Sequence, residues 1–171
     1  QRQQLMRLDF ERPFTQAETV GLAEHFAAAL ADIDVVIVSD YAKGTLCEVE
    51  ALIAEARARG LPVLVDPKGM DWARYQGATL LTPNLPEFRQ VTADPAEDDE
   101  ALQAAAQALI DTLELAALLV TRGEQGMSLV RRGQDAFNLP AHAQEVYDVT
   151  GAGDTVIATM AAVMATPAVI T

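Results

Sequence analysis

The stretch VYDVTGAGDTV, residues 146–156, sets Gly151 and Gly153 around Ala152, follows them with Asp154 and then runs into an apolar, helix-like segment. Glycine reaches backbone conformations closed to other residues, so successive N–H groups at such a turn can converge on an anion at a helix N-terminus. An acid beside an anion nest repels a bound phosphate. The conflict disappears if the ligand also brings a hydroxyl to be deprotonated: Asp154 takes that proton while the nest holds charge developing on a transferred phosphoryl group. A structural alternative stays open, a helix capped after a tight turn with the acid favourably placed in the helix dipole.

A second group is TPNLPEF, residues 82–88, in which Asn84 and Glu87 stand three apart among prolines at the end of a strand-like run. An amide oxygen and a carboxylate suit a hydrated Mg2+, which keeps several waters and bridges to substrate phosphates. The same residue types beside prolines also serve as turn and helix N-cap residues. Two other phosphate-binding patterns are missing. Val156 stands where a dinucleotide fingerprint needs its third small residue, and no glycine precedes the lysine that a P-loop requires. His25 and His142 lie far apart without ligand spacing, which argues against a zinc site.

The elements that must position these residues alternate between strand-like and helical runs. IDVVIVSD (33–40) is a continuous β-branched run of the kind buried on both faces of a parallel sheet. Residues 45–59 have helical spacing, with Thr45 as N-cap and Gly60 as stop. Strands are predicted at 61–67, 78–84 and 115–121, helices at about 86–91 and 97–113, a hairpin turning at Gly133, a short strand at 145–149 and a helix over 152–165. That order predicts an α/β fold with helices on both faces of a mostly parallel sheet and an antiparallel edge hairpin. Ligands of such sheets sit at the carboxyl ends of the strands, which points to Ser39, Asp40, Asp66, Asn84, Thr121, Asp148 and Thr150.

Bulk properties narrow the function. The net charge of −13 over 171 residues argues against nucleic acid or an anionic membrane as partner. Phosphate must therefore be met by local donors or a metal. One cysteine, Cys47, gives no disulfide framework and points to a reducing cytoplasm. No run reads as a signal peptide or membrane span, and no repeat or linker divides the chain.

Asn84 and Glu87 at a strand end, VTRGEQG at 120–126 and DVTGAGD at 148–154, in that order, together resemble the ribokinase-like (PfkB) carbohydrate kinases. SDYAKG (39–44), VDPKG (65–69) and QEVYDVTGAGDTV (144–156) are most similar to the branch of that family that phosphorylates heptose 7-phosphate. The resemblance implies a ribokinase-like three-layer α/β/α fold and ATP-dependent phosphorylation of D-glycero-D-manno-heptose 7-phosphate at its anomeric C1 hydroxyl, in lipopolysaccharide core synthesis. It implies Asp154 as catalytic base and Gly151, Ala152 and Gly153 as the anion hole. It places Asn84, Leu85, Pro86, Glu87, Thr121, Arg122, Gly123 and Gly126 along ATP, with Asn84 and Glu87 reaching Mg2+ through water and Asp148 near a monovalent cation such as K+. For Lys43 and Lys68 a phosphate contact and a solvated loop charge both stay open. Trp72 and Tyr75 fit packing against the sheet better than closure over a ligand.

The family's kinases also carry a glycine-rich sugar-binding lid before this region and further helices after it. Residues 1–171 are thus expected to be one partial kinase domain, poorly active by itself because catalysis requires closure around both substrates. A homo-oligomer through the lid region and an adenylyltransferase domain in the parent chain are further implications. Another sugar or nucleoside kinase of the family, and a non-catalytic nucleotide-binding module, are the competing readings. Asp154 counts against the module, since a mere phosphate binder gains nothing from an acid in the nest.

Overall fold

The first strand-like run begins later than its sequence suggests. Helix α1, Leu22–Ala29, passes into a 3-10 turn, Leu30–Asp32, and only Val36–Ser39 extend as β1. The structure, a computed structural model, describes residues 12–15, 18–141 and 151–166. Val36 and Val38 are buried, but Ile37 between them is 44% exposed, so the expectation that this run is buried on both faces is corrected. β1 is an edge strand with β2 as its partner among the described residues. A β-branched run reports a fit to a pleated surface, which edge and central strands share.

Helix α2, Val49–Ala58, starts after the turn at 45–48 rather than at Thr45. It stops where the sequence indicates. Gly60 takes φ +74°, its N–H donates to the Arg57 carbonyl (2.9 Å) and the Leu61 N–H donates to the Ala56 carbonyl (3.1 Å). This is a Schellman stop, whose left-handed residue favours glycine. The chain continues through β2 (Val63–Asp66), β3 (Leu80–Leu81), α3 (Leu85–Thr92), α4 (Asp99–Thr112), β4 (Ala117–Thr121), β5 (Met127–Arg131), β6 (Phe137–Leu139) and α5 (Ala152–Ala165). The strand expected at 145–149 lies outside the described residues.

The six strands lie in the order β1-β2-β3-β4-β5-β6. β1 to β4 are parallel, and β5 and β6 form the expected antiparallel edge ribbon. Because the parallel strands advance in one direction across the sheet, right-handed crossovers deliver their helices to one face. α2, α3 and α4 accordingly bury Val49, Ile53, Phe88, Leu102, Ala106 and Ile110 against Val63, Val65, Leu81, Leu118 and Val120. The alternate side chains, Leu64, Leu80 and Leu119, point to the other face, where Ile157 and Ala161 of α5 cover them. Helices on both faces give the three-layer α/β/α arrangement. No helix among the described residues is long and apolar enough to cross a membrane.

Trp72 and Tyr75 are almost wholly buried in the first of these cores, in line with the packing role read from the sequence. The Tyr75 hydroxyl donates to Oδ2 of buried Asp40 (2.7 Å), while Asp40 Oδ1 accepts the Ala42 N–H (2.7 Å). The Tyr75 hydroxyl also accepts the Lys68 N–H (3.3 Å), so SDYAKG and VDPKG, distant in sequence, are tied at adjacent strand ends.

Two glycines of the ribbon separate backbone strain from close approach. Gly133 at its tip has φ +68° with open space where a Cβ would stand; Gly126 has φ +88°, and a Cβ there would run into the Leu139 carbonyl oxygen and the Ala141 nitrogen. Gly133→Ala is expected to cost roughly 1–2 kcal/mol, the left-handed penalty alone. Gly126→Ala is expected to cost clearly more, because β6 must also move away; urea denaturation of the two variants compares them.

Candidate active site

Gly151 is the N-cap of α5, and its φ of +79° favours glycine. The first amide of the helix to bond back is that of Thr155, to the Gly151 carbonyl at 3.0 Å. Among the described residues the N–H groups of Ala152, Gly153 and Asp154 have no acceptor, and no side chain caps the helix. These are the orphan donors of a helix start, at the positive end of its dipole. Gly153 has no left-handed φ, and an added Cβ would meet nothing within 4 Å, so the described fold does not require glycine there. Glycine inside a helix costs about 1 kcal/mol relative to alanine. What it leaves is open space at the Gly153 side-chain position, in the same turn as three amides without acceptors among the described residues. The exposed Asp154 carboxylate shares this space, its Oδ2 lying 4.0 Å from where a Gly151 Cβ would stand.

Asp154 is electrostatically coupled to Asp66, at the end of β2. Asp66 closes β2 half-buried, with no hydrogen bond to its carboxylate from the described residues. Burial pushes its pKa above the ordinary 3.8; Lys68 pulls it back, and the charges of Glu87, Asp154 and Asp40 push it further up. Lys68 Nζ donates to Glu87 Oε1 at 2.5 Å. Burial by itself would lower the Lys68 ammonium, but the contact with Glu87 and the field of Asp66 outweigh it and hold it above its ordinary range. The edge is thus acidic, with Lys68 as its local counter-charge.

Asn84 and Glu87 form a capping box at the start of α3: Asn84 Oδ1 accepts the Glu87 N–H (2.8 Å), and Glu87 Oε2 accepts the Asn84 N–H (3.1 Å). Their spacing of three therefore has a structural origin. Each oxygen keeps a second lone pair after the cap, which fits a hydrated cation reached through water and not a direct carboxylate cage. Among the described residues no group of three or more His, Cys, Asp or Glu side chains is arranged to hold a metal. Leu85 packs half-buried against the core, and Pro86 lies exposed in the first helical turn.

Thr121 ends β4 beside Asn84, its N–H donating to the Pro83 carbonyl at 3.0 Å. The turn that follows is closed by Arg122 N–H to Gly126 carbonyl (2.8 Å) and Gly126 N–H to Gly123 carbonyl (3.0 Å). Gly123 is exposed, whereas the Arg122 side chain is largely buried and bonds to protein groups. The fold thus brings Asn84, Glu87, Thr121 and the Gly123–Gly126 turn onto neighbouring strand ends, with Asp154 electrostatically coupled to them through Asp66. Lys43 lies 6.0 Å from the Tyr41 ring on the β1 side. Asp148 and Thr150 lie outside the described residues. Sequence reasoning placed Asp66 only among strand-end polar residues; its role in the charge cluster comes from burial, which spacing does not encode. An open hollow of about 830 Å³ runs along α2, lined by Glu50, Arg57 and Glu114 among others, and includes none of these residues.

The chain thus combines a mostly parallel three-layer sheet with a glycine-led helix that carries an acid in its first turn. The chain belongs to the pfkB family: the description "pfkB family carbohydrate kinase" matches residues 10–169. It is 56% identical over 165 residues to the bifunctional protein HldE of Coxiella burnetii, covering 96% of this chain and 34% of that protein. It is 54% identical to the bifunctional protein HldE of Methylococcus capsulatus over 163 residues, 95% of this chain and 34% of that one. The chain therefore spans about a third of the length of these curated relatives. Among solved structures, a mutant of phosphofructokinase-2 from Escherichia coli matches with a TM-score of 0.76 at 20% identity, over 91% of this chain and 53% of that one. The Arabidopsis thaliana ribokinase complexed with ribose and ATP matches with 0.69 at 23% identity, over 93% and 49%. These likenesses carry the ribokinase-like fold.

Two expectations follow from the site. Asn84→Ala should cost about 1 kcal/mol of stability through the lost cap, whereas Asn84→Asp keeps the cap and the stability; denaturation midpoints distinguish them. Asp66 has a folded-state pKa above its unfolded value, so the folded state holds the proton more tightly. Its contribution therefore favours folding increasingly as pH falls from neutrality through the raised value to the ordinary range near 3.8. Asp66→Asn should accordingly leave stability at neutral pH equal or higher and flatten that part of the stability-versus-pH curve.

Proposed function

We propose that this chain carries the phosphoryl-transfer centre of a heptose 7-phosphate kinase, moving the γ-phosphoryl of ATP to the anomeric C1 hydroxyl of D-glycero-D-manno-heptose 7-phosphate. The products are heptose 1,7-bisphosphate and ADP. The observation that carries the reading is the start of α5: three amides without acceptors among the described residues, open space at Gly153, and the Asp154 carboxylate in the same turn. The bifunctional HldE relatives support the narrower substrate and an adenylyltransferase domain elsewhere in the parent chain.

In this reading Asp154 accepts the proton of the C1 hydroxyl as its oxygen attacks phosphorus, and the bond to the ADP oxygen breaks. The N–H groups of Ala152 and Gly153, oriented by the Gly151 turn, donate to the phosphoryl oxygens on which charge develops. Asn84, Leu85, Pro86, Glu87, Thr121, Gly123 and Gly126 border ATP. Asn84 and Glu87 hold the water shell of Mg2+, which supplies charge neutralisation at the phosphates. Lys68, tied to Glu87 at this edge, adds positive charge where phosphates meet carboxylates. Asp148 beside a monovalent cation belongs to the same reading.

The test is ADP release by the full-length parent protein with heptose 7-phosphate, fructose 6-phosphate and ribose. Asp154→Asn is expected to lower turnover roughly a hundred- to ten-thousand-fold with ATP affinity nearly unchanged. Turnover on another sugar would remove the heptose assignment and keep the chemistry; undiminished turnover in the variant would remove Asp154 as base.

A further inference from the structure

Arg122 heads the turn between β4 and β5, with its side chain only 14% exposed. Its Nη1 lies 2.7 Å from Asp99 Oδ1, on the first residue of α4, and donates to the fully buried Ser128 of β5 at 3.0 Å. The Ser128 hydroxyl donates to Asn138 Oδ1 of β6 at 2.6 Å, and Asn138 Nδ2 donates to Asp99 Oδ2 at 2.9 Å. The four side chains close a ring in which both Asp99 oxygens accept, while the buried Arg122 Nε has no partner among the described residues. The ring joins the start of α4, the end of β4 and both strands of the ribbon.

A family resemblance would place Arg122 against the nucleotide, but its contacts in the structure are inside the protein. We propose that Arg122 is a positioning residue: through the Asp99–Arg122–Ser128–Asn138 ring it holds the Thr121–Gly126 turn in the shape that ATP uses, without touching ATP. The proposal rests on the reading that this turn borders the nucleotide. Arginine suits the task because its planar guanidinium presents donors in a fixed fork, whereas a lysine ammonium on a flexible stem sets no orientation. Charge-assisted bonds around a largely buried guanidinium couple their members, so losing any one relaxes the others. Asp99 is the informative partner. Its side chain is 56% exposed, and the helix cap is supplied by Asp98, which accepts the Ala101 N–H. Removing the Asp99 carboxylate therefore opens the ring without uncapping α4.

The experiment uses the full-length parent kinase with Asp99→Ala, Ser128→Ala, Arg122→Met, Arg122→Lys and the Asp99→Ala/Arg122→Met double variant. KM for ATP, KM for the sugar phosphate and kcat are measured separately. Amide hydrogen exchange of residues 121–126 is followed with and without magnesium and ADP. Asp99→Ala and Arg122→Met are each expected to raise KM for ATP about tenfold, with KM for the sugar unchanged and the double variant no worse than the poorer single one. Arg122→Lys should not rescue. A rise in KM with Arg122→Met but none with Asp99→Ala or Ser128→Ala means direct contact with ATP and overturns the proposal. Unchanged KM for ATP in Asp99→Ala overturns it as well, even if Arg122→Met fails to fold. If the wild-type turn gains no exchange protection from ADP, the nucleotide reading of the turn fails and the positioning role fails with it. Protection of the turn together with an indifferent ring removes the positioning role alone.

Discussion

The seat of α5 on the sheet is the contact on which the rest of the site depends. Four parallel strands advancing in one direction send α2, α3 and α4 to the same face, leaving Leu64, Leu80 and Leu119 bare on the other. Ile157 and Ala161, with Val156, Met160 and Met164 beside them, meet those leucines. That stripe recurs at helical spacing, so the contact sets both the rotation of α5 and the place where its first turn emerges. Burial of apolar area, which is non-directional, thus acts through helix geometry to fix where the first turn of α5, with its three amides and Asp154, emerges from the sheet.

Electrostatics sets the second constraint. Asp66, Glu87 and Asp154 lie at one edge with Asp40 close behind, and among these Asp40 has solved its own burial through Tyr75, Ala42 and Arg74. Among the described residues Asp66 has no such partners, and it stays half-buried with its pKa raised. An edge so acidic is a poor place for a polyphosphate unless cations accompany it. Lys68 already stands there on Glu87, and a divalent cation is the natural second one for a ligand that carries phosphates. The proposed base role of Asp154 accords with this collection of carboxylates, which an edge built only for phosphate affinity would not gather.

Much of this was legible in the chain. The alternation of strand and helix, the edge ribbon, the Gly60 stop and the bounds of α5 over 152–165 all follow from patterns of period two and 3.6 and from glycine placement. The strand lengths were not legible: β3 pairs over two residues although the strand predicted there spans seven, 78–84, since pairing needs a neighbour's register and a strand-like run does not state one. Exposure of Ile37 escaped for the same reason, as position in the sheet is a property of the fold. Arg122 shows the limit at the site. Its neighbours in TRGEQG are turn residues, so sequence groups it with them, while its side chain bonds to Asp99 and Ser128, 23 positions before it and six after it.

Asn84 and Glu87 carry the most general lesson, because two explanations of one spacing prove compatible. A capping box needs an acceptor at the N-cap and a carboxylate three residues on, since that is the distance at which each side chain reaches the other's backbone N–H. A water shell around a cation at the same helix start needs oxygen donors at that position too. The box consumes one lone pair of Asn84 Oδ1 and one of Glu87 Oε2, and Lys68 takes the other carboxylate oxygen. The cap fixes both side-chain conformers before any ligand arrives, which lowers the ordering cost that binding would otherwise carry. Local helix chemistry is therefore the means by which the edge is preorganised, and the observed cap and the proposed ligand role of these two residues would use the same geometry twice.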